Sequence, residues 1–402
     1  TLTIGQGDFG GGNYQGSIQG TNGKITKTGT STITLSGTNT YTGVSTISGG
    51  MLQFAKQISL YNNTPGSWTK GNIVVNSGGT LALNVGGTGE FTAGNVTTLL
   101  GNLTANISNN GLRSGAAVAF DTSNASPATF TLASAIANSS GTGSGAIGVK
   151  KLGANTLVLA GTNTYTGGTT VNAGTLQVAS INALPGFNVA SRVSVSSSAT
   201  LAVQAGGVGE WSSGDIDSLL GATPAAFASG STFGIVVSTN NSFSYANNIG
   251  ATQEDKSFVK SGDGTLTLSG ANTYTGTTTI NGGTLVLGAD STLPAANAVI
   301  LAGGTLQMGS YSNAVGTLTV TGTNTIAVGT GTLRFANSAG ATWTGSLVLT
   351  GALGANSIQF GTTSGGLSQA QLARITINGN EVFINGSGYI AMVPGGTVFR
   401  FW

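Results

Sequence analysis

Residues 260–289 read KSGDGTLTLSGANTYTGTTTINGGTLVLGA, and this stretch decides the fold. It recurs at residues 27–56, KTGTSTITLSGTNTYTGVSTISGGMLQFAK, and at 151–180, KLGANTLVLAGTNTYTGGTTVNAGTLQVAS. Each copy holds a lysine with a glycine two residues on, an alternating apolar tetrad, the block G-[TA]-N-T-Y-T-G, and two further alternating runs. Alternation at period two puts one row of side chains inside a strand and the other outside. Gly, Asn and Ser-Gly pairs interrupt the runs where turns are needed. Helical periodicity is almost absent.

Working outward, the similarity continues past the motif. Residues 80–101, TLALNVGGTGEFTAGNVTTLLG, align with 200–221, TLAVQAGGVGEWSSGDIDSLLG. Val96, Leu99 and Leu100 correspond to Ile216, Leu219 and Leu220, and their spacing predicts a one- or two-turn helix on the outside of the strands. Asp215 or Ser213 is the expected N-terminal cap. Residues 367–375, LSQAQLARI, are a further helix candidate. The whole chain then reads as one continuous solenoid over residues 1–402. Super-repeats cover 27–149, 150–259 and 260–402, with strand-like junction segments at 1–26 and 395–402. Strands recur at roughly 19–21 residues, the length of one coil, which gives roughly 15–18 coils. The expected fold is all-β, a right-handed parallel β-solenoid (β-helix) with one or two short external helices.

Composition narrows the function. Only 24 of 402 residues are charged, with 13 Lys and Arg against 11 Asp and Glu. A net charge of +2 without any basic run supplies no field for nucleic acid. Glycine is abundant at 68 residues, but 39% of the chain is hydrophobic, which disordered segments do not reach. Cysteine and histidine are both absent. That removes disulfides, thiol chemistry and the commonest general base and metal ligand. No apolar run is long enough for a transmembrane helix. The chain opens on TLTIGQGDFGGG with no signal peptide, which leads us to expect a processed, extracellular or cell-surface chain. With so few titratable groups, stability is expected to depend little on pH or salt.

The block G-[TA]-N-T-Y-T-G, followed by a run ending G-x-L-x-[LFV], resembles the autotransporter-associated β-strand repeat. The three copies fall at residues 30–54, 154–178 and 263–287. Residues 367–394 are similar to the end of the repeat region in such proteins. The resemblance implies a passenger-type solenoid of a secreted bacterial surface protein and no single activity. It does not extend to an outer-membrane barrel, so self-secretion is not expected of this chain.

Candidate sites are few. Tyr41, Tyr165 and Tyr274 form either a sugar-stacking row or a set of bends packed on neighbouring coils. They lie several coils apart and cannot stack on each other, so the packing reading is preferred. Asn39, Asn163 and Asn272 are read as turn-formers that hydrogen-bond their own backbone. Glu210, Asp215 and Asp217, with Glu254 and Asp255, are the densest acidic group. Paired carboxylates serve sugar hydrolysis and clusters hold calcium. The first-repeat counterparts are Glu90, Asn95 and Thr97, so helix capping is preferred. Glu90-Phe91 and Glu210-Trp211 offer either an exposed aromatic or an anchor for the external helix, and the anchor is preferred. No catalytic, cofactor or metal site is expected.

The ends are less bland. Leu2, Ile4 and Phe9 at one end, and Val398, Phe399, Phe401 and Trp402 at the other, are the candidate subunit junctions. The expected function is therefore a non-enzymatic extracellular fibre subunit that pairs strands head-to-tail with copies of itself. The alternative is an adhesin passenger that displays insertions near residues 86–115 and 206–231 to a host surface, an abiotic surface or glycans. A carbohydrate-active β-helix enzyme comes last, because charged groups are so scarce.

Overall fold

The structure, a computed structural model, describes residues 1–8, 10–221, 227–250 and 255–393. It is a parallel β-solenoid of about 15 turns with few helices. The chain divides into two compact units, Thr1–Val203 with Ala222–Ser231, and Gln204–Gly221 with Thr232–Trp402.

In the first unit, short strands stack in parallel register. One five-stranded sheet holds Leu2–Ile4, Ile25–Lys27, Ser45–Ile47, Ile73–Val75 and Gly111–Leu112. An eight-stranded sheet runs from Gly12–Tyr14 through Thr32–Leu35, Gly50–Phe54, Gly79–Asn84, Ala117–Asp121, Gly148–Leu152 and Thr169–Val171 to Val193–Val195. A third stack contains Thr129–Leu132, Thr156–Leu159, Thr175–Val178 and Thr200–Gln204. The first repeat places its lysine strand in the five-stranded sheet and its TITL strand in the eight-stranded one. The second repeat places its lysine strand, Gly148–Leu152, in the eight-stranded sheet and its TLVL strand in the third stack. The intervening insertion has turned the repeat one face around the solenoid.

The second unit is built the same way. Leu266, Leu285, Leu306, Ile326, Leu349 and Ile377 pair in register and form one buried column. Each is an inward residue of an alternating run, and burying one such side chain stabilises by roughly 1.5–3 kcal/mol. Outward rows are threonine-rich: Thr265, Thr284, Thr305 and Thr325 face one another on consecutive strands. Branched side chains fit a pleated surface, and their hydroxyls keep it wet without charge.

Two helices lie outside the strands, as the apolar spacing predicts. The first, α1 (Ala93–Thr104), is three turns long, longer than expected, and buries Val96, Leu99, Leu100 and Leu103. Thr92 caps it in a reciprocal box with Asn95. The second, α2 (Ser213–Gly221), buries Ile216, Leu219 and Leu220. Its cap is Ser212, one residue before the expected Ser213. Asp215 is the reciprocal member, accepting from the Ser212 N–H at 3.0 Å while its own N–H donates to Ser212 Oγ. The helix expected at 367–375 is one turn, α3 (Gln369–Leu372).

The last described strands of the second unit leave the parallel pattern. Asn380–Ile384 pairs antiparallel with Ile375–Ile377, and Ile390–Met392 pairs antiparallel with Asn380–Ile384. The reversal is made by Asn378-Gly379, both at positive φ (48° and 79°), as a two-residue hairpin turn requires. This small meander buries Val382, Ile384 and Ile390. Residues 394–402 lie outside the described residues, and with them Val398, Phe399, Phe401 and Trp402.

Candidate functional site

The repeat motif builds the same internal device three times. Its first part is a lysine that occupies an inward, core position. Lys27 pairs in register between Ile4 and Ile47, Lys151 between Phe120 and Val171, and Lys260 faces Ile280. All three are 0% exposed. Each ammonium bends to the end of the coil and donates to backbone carbonyls of two successive turns. Lys27 Nζ reaches Thr28 O at 2.5 Å, Gly29 O at 3.2 Å and Gly49 O at 3.3 Å. Lys151 reaches Leu152 O at 2.7 Å, Gly153 O at 2.8 Å and Ala173 O at 3.0 Å. Lys260 reaches Gly262 O, Gly264 O at 2.6 Å and Gly282 O at 3.0 Å. Three donors on an ammonium meet three carbonyls, so the charge is hydrogen-bonded although it is buried. Burial holds Lys151 and Lys260 down to about 8, with Asp121 and Asp263 respectively pulling the other way. Gly283 must be glycine here. Its φ is +55°, and a Cβ would meet Gly264 O at 2.3 Å and the Lys260 ammonium at 2.5 Å.

The second part is the asparagine. Asn39, Asn163 and Asn272 are buried, and none has positive φ. Their main hydrogen bonds cross coils, which corrects the expectation of a self-contained turn. Asn39 Oδ1 accepts from Ile18 N at 2.9 Å and its Nδ2 donates to Ser59 O at 2.8 Å. Asn163 joins Ile136 N at 2.7 Å to Ala183 O at 2.7 Å, and Asn272 joins Ile249 N at 2.8 Å to Thr292 O at 2.8 Å. One amide thus ties the coil before to the coil after.

The third part is the tyrosine. Tyr41, Tyr165 and Tyr274 are at most 1% exposed, and each hydroxyl meets a hydroxyl four residues on: Ser45 at 2.7 Å, Thr169 at 2.6 Å and Thr278 at 2.6 Å. Buried rings offer no face to a sugar. Burial pushes Tyr165 up to about 12 and raises Tyr41 and Tyr274 further.

The acidic residues are dispersed in structural roles. Glu90 and Glu210 each fold back on the loop before them, accepting from Gly87 N at 2.9 Å and Gly207 N at 2.7 Å. Phe91 and Trp211, which follow them, are buried under the insertions. Asp217 accepts from Tyr245 Oη at 2.7 Å and from Asn247 Nδ2 at 2.5 Å beside a cavity of about 230 Å³. Burial and the neighbouring carboxylate both raise Tyr245. Glu254 lies outside the described residues. Among those described, no three His, Cys, Asp or Glu side chains gather to hold a metal.

Of the junction residues, Leu2 and Ile4 line an apolar cavity of about 410 Å³ with Tyr14, Ile18, Ile33 and Leu35. Leu2 is 45% and Tyr14 48% exposed. Phe9 lies outside the described residues. Each repeat thus contributes a lysine, an asparagine and a tyrosine to an internal staple, each bonded at its own place in the coil, and the junction residue Ile4 pairs in register with Lys27. The lysines went unassigned in the sequence, although Ile25-x-Lys27, Val149-x-Lys151 and Phe258-x-Lys260 continue the inward alternation.

The passenger-associated-transport-repeat family matches at residues 25–54, 149–178 and 258–287, the three segments that carry the staple. The chain is also 33% identical over 293 residues, 69% of its length, to the adhesin BmaC autotransporter of Brucella suis biovar 1 (strain 1330). The match covers 7% of that much longer protein. No solved structure matches.

Proposed function

From a solenoid that carries three passenger-associated-transport-repeats, we propose a non-enzymatic, adhesin-type passenger segment of a bacterial surface protein. It acts as a stiff spacer that holds surface loops and helices away from the cell. The observation that carries this reading is the repeated staple, in which one lysine and one asparagine lock successive coils at three places. The relative that is an autotransporter adhesin supports it. The loops carrying the insertions suit display. Gly87–Glu90 and Gly207–Glu210 are each closed by a carboxylate, and Val208 stands fully exposed at the tip of the second. Beads coated with the chain should adhere to host-cell or abiotic surfaces that bare beads do not, and Val208→Asp should lower that adhesion. Coated and bare beads that adhere alike to every surface tried would count against the reading.

A second reading is head-to-tail assembly into a fibre. It rests on Leu2–Ile4 and Gly12–Tyr14, each of which, among the described residues, pairs on one side only, with the apolar cavity between them. A further parallel coil would continue both sheets. Negative-stain images should then show filaments that Ile4→Asp abolishes. Separate particles at every concentration would set this reading aside and leave the first standing.

A further inference from the structure

The outer face of the eight-stranded sheet carries a groove that neither the staple nor the insertions use. Two cavities, each of about 270 Å³, share Gly78, Thr80 and Lys150 in their walls. The floor is nearly bare, because the register-matched outward positions on three neighbouring strands are Thr80, Ala117 and Gly148. Lys150 starts on the third of these strands, Gly148–Leu152, beside Ala119 and, one strand further, Ala82. Its side chain crosses to the first strand, where Nζ donates to Thr80 Oγ1 at 3.0 Å. Among the described residues, that hydroxyl is the sole partner of its three donors and no carboxylate pairs with it. Burial of the stem lowers Lys150 below the ordinary lysine range. A half-buried cation without an anion, set between two open cavities, is an incomplete ion pair.

We propose that this groove binds an acidic polysaccharide, with the Lys150 ammonium taking one carboxylate and Thr32, which lines one of the two cavities, bonding a sugar hydroxyl. The proposal rests on the adhesin-type reading and names a ligand class for it. Other ligand classes fit less well. Strands Gly79–Asn84, Ala117–Asp121 and Gly148–Leu152 are paired on both edges, so an extended peptide cannot add to them. One cation cannot hold the dense phosphates of a nucleic acid. A saccharide needs hydroxyl partners, a shallow floor and a single charge, and the groove offers these.

The test is calorimetric titration of the chain with a galacturonic acid oligomer and with its methyl ester, which has the same backbone without charge. The acid should bind roughly tenfold or more tightly than the ester. Lys150→Gln should abolish that preference, with circular dichroism and melting midpoint unchanged. Gly168 lines one of the two cavities, and Gly168→Thr should weaken binding with the charge intact. Its φ is not positive, and its Cβ would meet nothing nearer than Arg192 O at 3.4 Å. Lys24→Gln should change nothing. Equal affinity for acid and ester, no binding of either, or unaltered binding by Lys150→Gln overturns the proposal. Bead adhesion is scored separately. Adhesion that survives Lys150→Gln leaves the adhesin reading standing, while oligomer binding without any adhesion leaves the groove standing and removes that reading.

Discussion

The ammonium of Lys260 donates to the carbonyl of Gly282, twenty-two residues along the chain, at 3.0 Å. That bond joins one turn of the solenoid to the next from inside the core. The same arrangement links Lys27 to Gly49 and Lys151 to Ala173.

Removing the staple lysine should destabilise its own unit. Lys260→Met keeps the buried stem but leaves the carbonyls of Gly262, Gly264 and Gly282 without their donor. An unsatisfied buried acceptor costs about 1–3 kcal/mol, partly offset by no longer burying a charge. Urea unfolding of Lys260→Met should show a net loss of roughly 1–3 kcal/mol, and Lys151→Met a similar loss.

Asn272→Leu tests the bridge between coils. It fills the space but orphans the Ile249 N–H and the Thr292 carbonyl. We expect a loss of roughly 2–4 kcal/mol from two orphaned groups. Hydrogen exchange supplies a local signature, because the Ile249 amide should lose protection before the core amides of Leu285 and Leu306.

Stability should change sharply in alkali, against the flat profile that the composition suggests. Lys151 and Lys260 have folded values near 8, below the unfolded 10.5. The unfolded chain therefore holds more protons between these limits, and stability rises as pH climbs from 8 towards 10. Both lysines act in the same direction over that span. Tyr165 works the other way. Its folded value near 12 lies above the unfolded 10.0, so its contribution is full below pH 10 and is lost as pH rises through 12. Tyr41, Tyr245 and Tyr274 are raised too and add to that loss. Urea midpoints measured across this range should pass through a maximum near pH 10.

Trp211→Ala should loosen α2. The indole is 1% exposed under the insertion, and emptying such a site costs about 3–5 kcal/mol. The loss should appear as early exchange of the amides of Ile216, Leu219 and Leu220, with the column from Leu266 to Ile377 retaining its protection.

Much of this was legible in the sequence. The TLTL, TLVL and TLQM alternation gave the inward columns, and the i, i+3, i+4 leucines gave both external helices. The burial of Phe91 and Trp211 followed from their place beside those helices. The lysines were harder to read, since a charged residue beside a turn is ordinarily solvated and only the pairing with Ile25, Val149 or Phe258 marks it as inward. The asparagines misled because their local turn propensity says nothing about partners twenty residues away. The closing meander was written in Asn378-Gly379, a strong two-residue hairpin signal that the surrounding parallel pattern obscured. The Lys150 groove has no local signature, because it arises only when Thr80, Ala117 and Gly148 come into register.

The asparagine bridge also has a mechanical meaning. In a stack of parallel coils the ladder bonds run along the stacking direction, so a pull on that axis loads them one coil at a time, as a zipper is loaded. Asn39, Asn163 and Asn272 each span the coil that is opening and the coil still closed. A tear arriving at such a residue must break a second, side-chain tie before it can advance. Stretched by force spectroscopy, the chain should yield in small even steps, interrupted by higher rupture peaks where an asparagine stops the rip.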